Sequence, residues 1–135
     1  MVLVQDMMTR DPVSVPQDVS IDVAIDLMVE KNISGVPIVD EAETLVGLIT
    51  EYDVLRFYGK QNDQQADGYL TCREVMITEI RTIQQDASLD VAAKIFQAAS
   101  LRRLLVLDNK RLVGILSRRD VVRSIRDGRL HAAKV

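Results

Sequence analysis

The chain has no tryptophan, one cysteine and one histidine, and only 4% of its 135 residues are aromatic. A single cysteine closes no intramolecular disulfide, so nothing of the disulfide-stapled class is open to it, and a reducing cytosol is the expected setting. Cys72 reads as a passive thiol beside a linker rather than a reactive one. One Cys and one His, the latter (His131) near the end of the chain, do not make a Cys/His metal site. Long apolar runs are missing too: none approaches the ~20 residues that span a bilayer. Met1–Asp6 lacks the basic-then-apolar pattern of a signal peptide, so no membrane insertion and a cytoplasmic location are expected. No Ser/His/Asp set or Cys/His pair is in evidence, which argues against an enzyme. What is abundant is aliphatic: hydrophobic residues make up 47%, enough for a core of Val, Ile, Leu, Ala and Met.

The net charge of −3 hides an asymmetry. Residues 1–100 carry 7 basic and 17 acidic side chains, whereas residues 101–135 carry 10 basic and 3 acidic ones. The basic segment is either a solvated helix lying against acidic neighbours or a local well of positive potential for phosphates or an acidic partner. Nucleic acid ranks low as that partner, because stacking aromatics are lacking and the rest of the chain is acidic.

The chain is internally duplicated. A shift of 68 places Met8 on Met76 and Gln17–Ala24 (QDVSIDVA) on Gln85–Ala92 (QDASLDVA). One deletion later, a shift of 67 places Leu45–Val54 (LVGLITEYDV) on Leu112–Val121 (LVGILSRRDV). Each copy reads strand, helix, strand, strand, helix. Val13–Val15 and Ile80–Ile83 are short strands, followed by Ser20 and Ser88 as helix N-caps. Ile21, Ala24, Ile25 and Met28, matched by Leu89, Ala92, Ala93 and Phe96, form one apolar helix face, and Asn32 is a stop. Two pairs of apolar runs around tight polar turns then predict β-hairpins, 36–50 and 104–117, before a final helix starts near Glu51 or Arg118. Strand–helix–strand implies a parallel pair in each copy. The expected fold is therefore α+β (mixed α/β), with residues 1–58 as the first repeat, 59–70 as a polar linker, and 71–135 as the second repeat with its basic helix. A unit of ~55 residues is marginal alone, which favours two copies packed together.

The most informative short motif is Gly-φ-φ-[Thr/Ser]-x-x-Asp, present as Gly47–Asp53 and Gly114–Asp120. Two uses stand open for the same atoms. The hydroxyl and the carboxylate form a reciprocal helix cap, or the carboxylate accepts from a ribose diol while the helix start faces a phosphate.

The duplicated β-α-β-β-α pattern, the two motifs, Asp6–Val13 (DMMTRDPV) and Ile33–Asp40 (ISGVPIVD) together resemble the CBS domain family over nearly the whole chain, about Val4 to Arg126. The resemblance implies a tandem pair, or Bateman module, related by a pseudo-twofold axis, with clefts for AMP, ADP, ATP or S-adenosyl compounds. It also implies a homodimer, and no cofactor is required beyond the regulatory ligand. One cleft would combine Ile115, Ser117, Arg119 and Asp120 with Thr9, Val13, Ile33, Ser34 and Gly35. The other would combine Leu48, Thr50, Tyr52 and Asp53 with Ile80, Arg81, Leu101, Arg102 and Arg103. By the same resemblance Asp53 and Asp120 hold ribose, Thr50 and Ser117 hold ribose or phosphate, and Ile33, Ile80 and Leu101 sandwich adenine. Arg102, Arg103 and Arg119 would neutralise phosphate, and Arg118 would add to them. Two departures fall on the Asp53 cleft: Arg103-Leu104-Leu105 stands where the first copy has Gly35-Val36-Pro37, and Thr78-Glu79-Ile80-Arg81 replaces Arg10-Asp11-Pro12-Val13.

The function this implies is a ligand-sensing regulatory module that signals to an unknown regulated protein on another chain. The alternative is a homodimeric scaffold with no bound nucleotide.

Overall fold

The computed structural model describes residues 1–61 and 70–129, with the side chains of 59–61 left out. Most of the expected linker (residues 62–69) and His131 lie outside the described residues. The elements are α1 (Val4–Met7), β1 (Thr9–Arg10), β2 (Val15–Pro16), α2 (Ile21–Lys31), β3 (Gly35–Val39), β4 (Leu45–Thr50), α3 (Glu51–Gln61), α4 (Cys72–Val75), β5 (Thr82–Gln84), α5 (Leu89–Ala98), β6 (Arg103–Asp108), β7 (Arg111–Ser117) and α6 (Arg118–Arg126). The result is a mixed helix and sheet fold built twice, with Met1–Pro12 and Arg81–Val135 in one compact unit and Val13–Ile80 in the other.

In the unit of residues 13–80 the sheet order is β2-β3-β4, with β2 parallel and β4 antiparallel to β3. The parallel pair arises because α2 carries the chain back, as the strand–helix–strand pattern requires. Ser20 caps α2 by accepting the Asp22 N–H at 3.1 Å, and Asn32 closes it in the left-handed conformation, φ 54°. Asn tolerates that region better than most residues, which is why the helix stops there. Val15, Ala24, Met28, Val36, Ile38 and Ile49 make the core, and Cys72 and Val75 of α4 complete it.

The other unit has the sheet order β1-β7-β6-β5, with β5 parallel to β6 and the remaining pairs antiparallel. Ser88 caps α5 as Ser20 caps α2. Its core joins Leu89, Ala92, Leu104, Val106 and Leu116 to Val4, Met7 and Met8. The leading segment of each repeat thus belongs to the unit built from the other repeat.

The motif glycines show why. A Cβ on Gly114 would stand 2.5 Å from the Met8 sulfur and 2.9 Å from the Thr9 carbonyl oxygen, and one on Gly47 would collide with the Met76 thioether. Met8 and Met76 are the aligned pair of the duplication. Each lies across a strand that only glycine keeps thin enough at that point. β1 then adds to β7, Thr9 facing Ile115, and Ile77 bridges to Leu48 of β4.

Four-residue α1 and α4 and two-residue β1 are elements that hydrophobic periodicity did not predict. The expected strands at Val13–Val15 and Ile80–Ile83 are shifted and trimmed to Val15–Pro16 and Thr82–Gln84. Cys72 is fully buried, with its thiol 3.7 Å from the Ser20 carbonyl oxygen, and burial pushes its pKa up to about 11. That is the profile of an inert core thiol.

Candidate functional site

The motif sits where a hairpin's last strand turns into a helix. In the unit holding α6, Arg103 opens β6 directly opposite Ser117, the last residue of β7. The carbonyl of Arg102 accepts the first N–H of α6, from Arg118, at 3.0 Å. The other unit repeats the geometry: Gly35 faces Thr50, and the Ser34 carbonyl accepts the Glu51 N–H at 3.0 Å. Ser34 and Gly35 are therefore neighbours of Thr50 within one unit, and Arg102 and Arg103 are neighbours of Ser117 within the other.

Both motif carboxylates are engaged as caps. Asp120 Oδ2 accepts the Ser117 N–H at 2.8 Å while the Ser117 hydroxyl oxygen accepts the Asp120 N–H at 3.1 Å. Asp53 Oδ2 accepts from the Thr50 N–H at 2.9 Å and the Thr50 hydroxyl at 2.8 Å. Each second oxygen accepts from a guanidinium one turn on, Arg123 at 2.7 Å and Arg56 at 3.1 Å. Buried carboxylates need such partners, and Asp120 and Asp53 are only 7% and 3% exposed. Arg56 and Arg123 were not among the expected site residues. Their signal was present, because the duplicated motif continues as Asp-x-x-Arg in both copies.

Capping does not exhaust these groups. An ionised carboxylate offers about four lone-pair sites, and the contacts of Asp120 use two of them. Around the Ser117 turn lies an open hollow of ≈ 670 Å³ walled by Arg102, Arg103, Ser117, Arg118, Arg119 and Val122. Four guanidinium groups at the N-terminus of a nine-residue helix make a strongly anion-favouring surface. Arg118, expected to add to the phosphate-binding arginines, is part of this wall, and Val122 joins it beyond the expected residues. A second hollow, ≈ 730 Å³ in the other unit, has Asp18, Asp40, Glu41, Glu43 and Arg73 among its walls. Its charge repels phosphate.

The remaining candidates divide by burial. Ile33 and Leu101 are half-buried against the core of their own unit. Ile115 is half-buried between its partners Thr9 and Leu105. Thr9 and Arg81 are exposed, while Val13, Leu48 and Ile80 are half-buried. Tyr52 is 71% exposed, and its ring lies 5.7 Å from the Arg56 guanidinium, so it is no core residue. Among the described residues there is no group of three or more His, Cys, Asp or Glu that could hold a metal ion, and no helix long and apolar enough to cross a membrane.

The chain is 31% identical over 118 residues to the CBS domain-containing protein YhcV of Bacillus subtilis, covering 87% of this chain and 81% of that one. It spans only about a quarter to a third of the length of the first curated relatives it matches. Among solved structures, CBSX2 of Arabidopsis thaliana in complex with AMP superposes with a TM-score of 0.79 at 30% identity, covering 96% of this chain and 100% of that one. The CBS domain pair of protein MJ0100, in complex with 5′-methylthioadenosine and S-adenosyl-L-methionine, gives 0.73 at 29% identity over 95% and 98%. Residues 4–60 and 72–127 each match the CBS domain, and with the duplicated fold and motif in place the chain belongs to the CBS domain family as a pair of its repeats.

Proposed function

We propose that this chain is a regulatory module that senses an adenosine nucleotide of the AMP, ADP or ATP type and signals to a protein on another chain. The observation that carries the reading is the hollow at the Ser117 turn, where Arg102, Arg103, Arg118 and Arg119 ring the start of α6 beside a buried acceptor, Asp120. Phosphate meets guanidinium forks and the helix N-terminus. The ribose diol donates to the lone pairs that Asp120 keeps after capping. Val122 and Ile115 offer apolar surface for the base. Thr50, Tyr52 and Asp53 form a second, weaker set, because Glu51 stands there in place of Arg118. CBSX2 binding AMP and the MJ0100 pair binding S-adenosyl-L-methionine support an adenosine-type ligand.

The protein acts in this reading as a homodimer in the cytoplasm. Binding stabilises one arrangement of the module over another, and the regulated partner reads the difference. The capped state of Asp53 and Asp120 favours a second reading, an interaction scaffold that takes no nucleotide. Thermal unfolding with and without AMP, ADP and ATP separates the two, since a ligand of the native state raises the midpoint by mass action. No shift at ligand concentrations up to the millimolar range favours the scaffold.

A further inference from the structure

The two motif carboxylates, alike in sequence, keep different capacities to accept further hydrogen bonds. An ionised carboxylate has about two lone-pair sites on each oxygen. Asp53 spends both sites of Oδ2, on the Thr50 N–H at 2.9 Å and the Thr50 hydroxyl at 2.8 Å, and one site of Oδ1 on Arg56 at 3.1 Å. What remains lies on a single oxygen. Asp120 spends one site of Oδ2 on the Ser117 N–H at 2.8 Å and one of Oδ1 on Arg123 at 2.7 Å. It therefore keeps a site on each oxygen, the arrangement that two neighbouring hydroxyl donors require.

The tethers differ as well. The last torsion of an aspartate is broad, so one contact lets the carboxylate swing and a second fixes its plane. At Asp120 that second contact is Arg123, at the length of a strong charge-assisted hydrogen bond. Arg56 makes a longer contact with Asp53 and also lies 5.7 Å from the centre of the Tyr52 ring, whereas Arg119 takes the place of Tyr52 in the second copy. The arginines that wall the hollow at the Ser117 turn are Arg102, Arg103, Arg118 and Arg119. Arg123 stands outside that wall and meets the site through Asp120.

We propose that Arg123 is a positioning residue: it holds the Asp120 carboxylate in the plane where one lone pair on each oxygen receives the 2′- and 3′-hydroxyls of a ribose. The turn then selects ligands with an intact vicinal diol, and the Thr50 turn, with one oxygen left, does not. This rests on the nucleotide reading above and adds the residue that sets its diol specificity.

The test compares AMP with 2′,3′-dideoxyadenosine monophosphate, which has the same base and phosphate but no diol, by calorimetry on the full chain at one ionic strength. Wild type is expected to bind AMP at least about tenfold more tightly than the analogue. Arg123→Met keeps the apolar stem and the helix propensity and removes the donor. Its circular-dichroism spectrum should match wild type, because the Arg123 side chain is 44% exposed and an ion pair so open to solvent contributes little to stability. Its affinity for AMP is expected to fall about tenfold, towards that of the analogue, while its affinity for the analogue stays unchanged. Arg123→Lys, which restores a cationic donor, should recover part of the AMP affinity. Should Arg123→Met fail to fold, Arg123→Gln and Arg123→Lys carry the same comparison. A variant that loses AMP and the analogue equally, or that keeps the full preference for AMP, overturns the positioning role and leaves the nucleotide reading standing. Wild type binding both ligands equally overturns the diol contact itself and leaves the phosphate site. Wild type binding neither overturns the nucleotide reading and this inference with it.

Discussion

Replacing Asp120 by alanine separates the two uses of its carboxylate. In the structure Asp120 Oδ2 accepts the Ser117 N–H and Oδ1 accepts from Arg123. Loss of the cap costs about 0.5–2 kcal/mol. The ion pair adds at most ~1 kcal/mol, because the Arg123 side chain is 44% exposed and solvent screens it. The variant is therefore expected to lose roughly 0.5–3 kcal/mol, a fall in the thermal midpoint of about 2–10 °C for a chain of this size. That much follows from capping alone. If the same carboxylate also receives a ribose diol, nucleotide affinity falls by another charged hydrogen bond or two, ~1.5–3 kcal/mol each, or at least about tenfold. Calorimetry with AMP at 25 °C, where the variant is still folded, reads the second effect apart from the first. Asp120→Asn is the control: its amide oxygen still accepts the Ser117 N–H, so stability recovers in part while affinity does not. Full nucleotide affinity in a destabilised Asp120→Ala protein refutes the binding role and leaves the carboxylate as a cap.

Gly114→Ala brings a Cβ against the Thr9 backbone and is expected to cost about 1–3 kcal/mol in chemical denaturation; a stability within error of wild type contradicts the close-approach account. The atoms nearest a Cβ on Gly47 belong to the Met76 side chain, so adding Met76→Ala to Gly47→Ala should recover part of the loss. The Cys72 thiol, held up to about 11 against an ordinary 9.0, stays protonated in the fold at pH values where the unfolded chain ionises. Stability contributed by this group is therefore full below pH ~9 and declines as pH rises above it. Thiol-reactive dye at pH 8 should label Cys72 at the rate of unfolding, and fast labelling of the native protein contradicts its burial. Arg119→Ala should weaken AMP binding but not adenosine binding, as titrations of the two ligands would show; equal losses for both argue against a phosphate contact.

Much of this fold could be read from residue order because each repeat signals its elements locally. Ser20 and Ser88 cap where a polar residue precedes an apolar helical face, and the hairpins follow from apolar runs around Asp40 and Asp108. Residues 4–10 and 72–77 were harder, because helices of four residues and strands of two leave no period to detect. Their places are set by contacts distant in sequence: Val4 and Met8 complete the core around Leu89 and Leu116. The pairing of Met8 with Gly114 and Met76 with Gly47 was marked only by the alignment of the two methionines across the duplication. The candidate site divides in the same way. Ser117 and Asp120 were visible as a motif. That Arg102 and Arg103 border Ser117 follows from hairpin register, which one shifted residue would have changed.

Isothermal titration of the wild-type chain with AMP and with adenosine, side by side, at two ionic strengths, decides whether the hollow at the Ser117 turn takes a phosphorylated adenosine. Saturable binding of AMP, much weaker binding of adenosine, and an AMP affinity that falls as salt rises are expected of a phosphate site. Adenosine binding as tightly as AMP with no salt dependence, or no heat from AMP, ADP or ATP at any concentration, contradicts it.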